Sequence, residues 1–193
     1  MTATSSKFQA LSAAIDNYSA TIDIVGLGYV GLPLLLRCCE VGFRTIGFDT
    51  DSEKIDMLGA GTSFIQHIAS DRIAAAQSNF TATTDFTHIS ECQAVILCVP
   101  TPLTKNRDPD LSYIIQTMSD VLPHLGKEGV ALSLESTTYP GTTEDILGKA
   151  LDETGYEIGS DVFLIYSPER EDPGRADFTT QSIPKLVAGH TPY

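Results

Sequence analysis

Three glycines carry the first chemical signal in this chain. Gly26, Gly28 and Gly31 stand in the order G-x-G-x-x-G, with Leu27, Tyr29 and Val30 between them. They follow a short apolar run, Ile22 to Val25, and precede Leu32-Pro33-Leu34-Leu35-Leu36, which reads as the opening of a helix. A strand turning sharply into a helix leaves unsatisfied N–H groups at the helix start, and these attract phosphate. Gly26 permits the turn, Gly28 lets a pyrophosphate approach the backbone, and Gly31 allows helix and strand to pack closely. Asp49 lies eighteen residues past Gly31, at the end of a second, mostly apolar run, Phe43 to Phe48. A carboxylate at that distance accepts hydrogen bonds from both hydroxyls of a ribose. Strand, helix and acid agree, so a dinucleotide site is expected across Gly26, Gly28, Tyr29, Val30, Gly31 and Asp49. The alternative is a glycine-rich turn without a ligand, with Asp49 as a helix cap. NAD is expected over NADP: a 2′-phosphate would meet Asp49, Asp51 and Glu53 add negative charge, and no Arg follows immediately.

Further candidates stand directly after other apolar runs. Pro100-Thr101-Pro102 ends the run Ala94 to Val99 and holds the chain extended, as the wall of a cleft or as an ordinary strand-ending turn. Glu135-Ser136-Thr137-Thr138 follows Val130 to Leu134, and its hydroxyls suit a water or a substrate hydroxyl. Thr142 or Thr143 is expected to cap the next helix. Ser167-Pro168-Glu169-Arg170-Glu171-Asp172-Pro173-Gly174-Arg175 is densely charged, which usually marks a solvated loop. Glu169 nonetheless sits one turn past a strand, where a carboxylate can act as a base.

The elements that must position these residues alternate. Strands are expected at Ile22 to Val25, Arg44 to Phe48, Phe80 to Thr84, Ala94 to Val99, Val130 to Leu134, Val162 to Tyr166 and Lys185 to Ala188. Helices are expected at about Tyr29 to Glu40 with Gly42 as C-cap, from Asp51 to the break at Gly59 to Thr62, at Asp71 to Gln77 capped by Ser70, from Asp110 to about Leu125, and from Thr142 to about Gly155. This alternation predicts a Rossmann-type α/β fold, a doubly wound, mainly parallel sheet with helices on both faces. Phe8, Leu11, Ile15 and Tyr18 recur at helical spacing, so residues 1–20 read as a helical extension and 21–193 as the dinucleotide-binding domain. The extension is expected to pack on the domain or on a partner subunit.

The chain has 193 residues and a net charge of −13, with no surplus of Lys and Arg to displace counterions from phosphates. Nucleic acid is therefore an unsuitable partner, and an anionic cofactor must be held by local donors against the global field. No apolar run approaches the ~20 residues that span a bilayer. The small, polar start at Met1 to Lys7 lacks a signal-peptide core, so a cytoplasmic location is expected. Cys38, Cys39, Cys92 and Cys98 form no CxxC pair, and metal binding is not expected. They read as small buried hydrophobes, Cys98 within a strand.

Five segments together resemble the N-terminal domain of the UDP-glucose/GDP-mannose dehydrogenase family. They are GLGYVGLPL (Gly26 to Leu34), GFDTD (Gly47 to Asp51), CVPTP (Cys98 to Pro102), ESTTYPGTT (Glu135 to Thr143) and SPEREDPG (Ser167 to Gly174). The last two forms are most similar to the UDP-N-acetylglucosamine 6-dehydrogenase branch. The resemblance implies a two-step oxidation in which the C6 alcohol of a UDP-sugar becomes a carboxylate and two NAD are reduced. It implies cofactor contacts at Gly28, Asp49, Pro100, Thr101 and Thr137. It also implies a water-holding role for Thr137, proton transfer by Glu169, and substrate contacts beginning between Glu169 and Arg175. In the family the nucleophilic cysteine, the active-site lysine and most of the UDP-sugar pocket belong to a later domain. The chain is thus expected to bind NAD but not to turn over substrate alone, and to act as a homodimer or higher oligomer within a longer protein. Two other readings stay open: a hydroxyacid dehydrogenase of the 6-phosphogluconate type, and a stand-alone NAD-sensing module.

Overall fold

A computed structural model describes residues 6–169 and 184–192. Its centre is a seven-stranded sheet in the order β3-β2-β1-β4-β5-β6-β7. The strands are β1 (Thr21–Val25), β2 (Arg44–Phe48), β3 (Phe80–Thr83), β4 (Ala94–Leu97), β5 (Val130–Leu134), β6 (Val162–Tyr166) and β7 (Ala188–Gly189). The first six run parallel, and the chain reverses direction across the sheet between β3 and β4, leaving a crevice at the carboxyl ends of β1 and β4. β7 is antiparallel to β6, pairing Ala188 with Tyr166. This corrects the expected strand at Lys185 to Ala188, which is shorter, later and reversed.

The central strands β1, β4, β5 and β6 are mostly apolar runs because both faces are covered, whereas β3 and β7 at the edges are not. On one face Val25, Phe48, Val95, Leu97, Leu132 and Leu134 pack under helix α5 (Ser112–Val121), with Ile114, Met118 and Val121 at the contact. On the other, Ile22, Ile24, Ala94, Ala131 and Phe163 pack under α2 (Gly31–Val41), through Leu32, Leu35 and Leu36. Gly47 on β2 leaves room for Leu35 and Leu27, since a Cβ there would stand 2.5 Å from Leu35 Cδ1. The remaining helices are α3 (Ser52–Gly59), α4 (Ser70–Ala76) and α6 (Lys149–Glu153).

The amino-terminal helix α1 (Ser6–Asp16) lies against the sheet. Leu11 is buried, Phe8 meets Phe163 edge-on at 5.4 Å between ring centroids, and Lys7 Nζ donates to Asp161 Oδ1 at 2.7 Å.

Several local expectations are corrected. Thr142 does not cap its helix: it is already in helical conformation, and its hydroxyl donates back to Tyr139 O at 2.8 Å. Thr143 lies inside the helix, which starts as a π-helical stretch (Thr143–Gly148) running into α6. Ser70 is the first residue of α4 rather than its cap, because its Oγ accepts from Ser63 N at 3.1 Å. A 3₁₀ turn at Phe86–Glu91, unforeseen, links β3 to β4, with Asp85 Oδ1 accepting from Thr87 N at 3.0 Å. β4 ends at Leu97, so Cys98 lies just past the strand and is half-buried, as is Cys38.

Candidate functional site

The carboxyl ends of β1, β2, β4, β5 and β6 open into one cleft of about 730 Å³, within the ordinary range for a small-molecule site. Its floor is the glycine loop. Gly26 has φ +94°, and a Cβ on it would stand 2.7 Å from Cys98 O, so only glycine suits this turn beside β4. A Cβ on Gly31 would collide with Gly26 O and crowd Ile24 Cγ2, which keeps α2 close to β1. Around Gly28 nothing lies within 4 Å of such an atom, so the main chain there faces open cleft. Leu32 N already donates to Gly28 O, while no described backbone acceptor takes up the amides of Val30 or Gly31 at the start of α2. Tyr29 stands at the mouth of the loop, 58% exposed, stacked on His67 at 5.8 Å and 21° between ring planes. This cradle fits a pyrophosphate: open space, free amides and a helix of eleven residues behind them.

Asp49, directly after β2, lines the same cleft. Its Oδ2 accepts from Leu27 N and Lys54 Nζ, each at 3.0 Å, and its Oδ1 accepts from Asp51 N at 3.0 Å. The carboxylate is therefore tied to the glycine loop and to α3 before any ligand arrives. The cap of α3 is Asp51, whose Oδ1 accepts from Glu53 N at 3.0 Å, so Asp49 is not needed for that role.

The opposite half of the cleft is built by the β4 and β5 ends. Ser136 Oγ donates to Val99 O at 2.6 Å, and Thr101 Oγ1 donates to Thr137 O at 2.7 Å, so two hydroxyls lash these loops together beside Pro100. Ser136 is thereby committed as a donor to the scaffold, whereas Thr137 is exposed on the cleft wall. Glu169 lines the same wall after β6, and Glu135, buried, forms an ion pair with Lys185. Arg170 to Arg175 lie outside the described residues.

The cysteines stay thiols. Burial pushes Cys38 up to about 12, with Cys39 adding to it, and burial also raises Cys98, where the Glu135 carboxylate adds to the effect. Neither is poised as a nucleophile. Among the described residues, no cluster of His, Cys, Asp or Glu could hold a metal ion, and no helix is long and apolar enough to cross a membrane.

All the residues singled out from the sequence for the cofactor, apart from Gly31 behind the loop, border this one cleft, and so do Thr137 and Glu169. Sequence reasoning missed Lys54, Phe86 and the α5 face formed by Tyr113, Gln116, Thr117 and Asp120. The spacing of those four residues marks one side of a helix, yet nothing in it says which side meets a ligand.

Residues 20–192 match the family model described as the UDP-glucose/GDP-mannose dehydrogenase family, NAD binding domain. The UDP-N-acetyl-D-glucosamine 6-dehydrogenase of Pseudomonas aeruginosa is 33% identical over 174 residues, covering 89% of this chain and 40% of that protein. The UDP-N-acetyl-D-mannosamine dehydrogenase of Pyrococcus horikoshii is 33% identical over 160 residues, covering 80% of this chain and 37% of that protein. The crystal structure of NDP-N-acetyl-D-galactosaminuronic acid dehydrogenase from Methanosarcina mazei Go1 superposes with a TM-score of 0.83 at 29% identity, over 97% of this chain and 42% of that one. The chain thus spans about 40% of the length of the first of these relatives. With a mainly parallel Rossmann sheet and the family model matched over residues 20–192, the chain belongs to the UDP-glucose/GDP-mannose dehydrogenase family, as its NAD-binding domain.

Proposed function

We propose that this chain is the cofactor half of a nucleotide-sugar 6-dehydrogenase, which oxidises the C6 alcohol of a UDP-N-acetylhexosamine to the carboxylate. NAD supplies the hydride acceptor. The amides at the start of α2 bind the pyrophosphate, and Asp49 accepts from the adenosine ribose hydroxyls. Pro100 and Thr101 shape the wall along which the nicotinamide end lies. Thr137 offers a hydroxyl to hold a water, and Glu169 receives or returns a proton beside it. The Cys98 thiol beside the cleft is held protonated by burial and takes no covalent role. The observation that carries the reading is that Asp49, at one end of the cleft, and Thr137 and Glu169, at the other, border a single cavity. That is the arrangement a dinucleotide needs if its reactive end is to meet substrate.

Calorimetry of the 193-residue chain tests the reading. NAD is expected to bind and NADP to bind at least tenfold more weakly, because a 2′-phosphate meets the Asp49 carboxylate. Mixed with UDP-N-acetylglucosamine and NAD, the chain alone is expected to form no NADH. Absence of heat with NAD rejects the cofactor site, and NADH formation rejects the division of labour.

A further inference from the structure

The cleft has a carboxylate–ammonium pair at each end. Asp49 and Lys54 meet at 3.0 Å beside the glycine loop, and Glu135 and Lys185 meet at the other end, just past β5. Glu135 lines the cleft with Ser136, Thr137 and Glu169, and is 7% exposed. Lys185 comes from fifty residues further along the chain. The reversed strand brings it there. β7 starts at Ala188 opposite Tyr166, the last residue of β6, and runs antiparallel to it, so the residues just before β7 lie on the carboxyl side of the sheet.

The two charges act on this end of the cleft in opposite senses. Cys98, which also lines it, feels both: burial raises its thiol most, the Glu135 carboxylate adds to that, and the Lys185 ammonium opposes it. A nicotinamide ring is a group that such a field discriminates. It is positively charged when oxidised. On accepting a hydride, the two electrons and the proton of a substrate C–H bond, it becomes neutral. A lone carboxylate in a buried wall would hold the positive ring and resist its reduction, and an ammonium paired with that carboxylate removes the bias.

We propose that the Glu135–Lys185 pair balances the charge felt by the nicotinamide ring and so sets the preference of the cleft between NAD and NADH. The inference rests on the NAD reading above and adds a control on redox state to it. Lys185 is not among the residues that line the cleft, so it acts through Glu135. The adenosine, the pyrophosphate and both riboses are the same in NAD and NADH. The ratio of the two affinities therefore cancels their contacts and isolates the ring.

The test measures NAD and NADH by calorimetry at about pH 8, well above the usual carboxylate range. It uses the 193-residue chain, its Lys185→Met and Glu135→Gln variants, and the double variant. Lys185→Met leaves a buried carboxylate without its counter-charge and is expected to shift the affinity ratio about tenfold toward NAD. Glu135→Gln leaves the ammonium uncompensated and is expected to shift the ratio toward NADH, by only about fivefold, because the Lys185 side chain is 28% exposed and solvent screens it. The double variant removes both charges and is expected to return within about twofold of the unaltered ratio. An unmoved ratio in either single variant, or shifts of both in the same direction, overturns the proposal while the cofactor reading stands. A variant that merely loosened β7 would weaken both ligands alike and leave the ratio where it was, which counts against the proposal equally. No heat with either ligand in the unaltered chain overturns the cofactor reading itself, and this one with it.

Discussion

Asp23 on β1 and Asp49 just past the neighbouring β2 are 0% and 9% exposed, and their surroundings are opposite. Asp49 comes one residue past the end of β2, where loops supply donors: Leu27 N, Asp51 N and Lys54 Nζ all reach it at 3.0 Å. Asp23 sits in the middle of β1, flanked by Ile46 on β2 and Val95 on β4, and neither of its side-chain oxygens has a hydrogen-bond partner. Burial alone raises its carboxyl well above the usual range. In a parallel sheet the strand centres offer only backbone already used in the ladder, while the carboxyl edge offers free amides and mobile cations. The same residue type is thus held by three donors at the edge and left without a partner at the centre.

The largest effects are expected at the edge. Asp49→Ala removes both oxygens proposed to accept from the ribose and should weaken NAD about a hundredfold by calorimetry, the sum of two charge-assisted hydrogen bonds. It also strips Leu27 N and Lys54 Nζ of their acceptor, so the thermal midpoint should fall as well. Asp49→Asn sharpens the point. It takes away the charge but keeps the shape, and it frees Lys54 to meet a phosphate. The NAD-to-NADP affinity ratio should shift toward NADP by about tenfold, the scale of one exchanged charge contact. An unchanged ratio would mean that Asp49 does not face the ribose 2′ position.

At the centre the sign reverses. Asp23→Val replaces an unpartnered acid with a β-branched residue on an apolar face and should stabilise the fold by about 1–3 kcal/mol at neutral pH. The pH dependence follows from the raised native pKa. Unfolded, the carboxyl releases its proton near pH ~4; folded, it holds that proton to much higher pH. Stability therefore falls as pH rises from about 4 toward the native pKa, and the valine variant lacks this slope. Denaturation midpoints of the two proteins should lie closest near pH ~4 and separate as pH rises. A gap that stays constant across pH would show that Asp23 keeps a hidden partner.

The same contrast explains what could be read in advance. β2, β5 and β6 have the bounds expected from their sequences, because a strand covered on both faces writes itself as a mostly apolar run. The glycine loop was legible for a similar reason: turn, close approach and tight packing each demand glycine at a fixed place. The α5 face was not legible, since the loops it meets across the cleft lie far away in sequence, and Lys54 was not, since only the turn from β2 into α3 brings its ammonium back onto Asp49. Caps failed where a hydroxyl had a better offer. Ser70 serves the amide of Ser63, and Thr142 turns back to Tyr139, choices that depend on where the preceding loop folds. Asp23 looked like any residue of a short strand, and only the sheet around it reveals the missing partner.

Asp51 supplies the mildest test, because it separates two roles that the sequence left open for Asp49. Its side chain accepts from Glu53 N at 3.0 Å and Lys54 N at 3.4 Å, the geometry of a helix cap. Its own amide supports Asp49 Oδ1, a contact that alanine at this position keeps. Asp51→Ala should therefore cost about 1 kcal/mol of stability, typical for a lost cap, and lower the thermal midpoint by a few degrees. NAD affinity should change by less than about threefold, below the loss of one hydrogen bond. If affinity instead fell as far as in Asp49→Ala, the ribose would be held by Asp51, and the division between a capping aspartate and a ligand-binding one would be wrong.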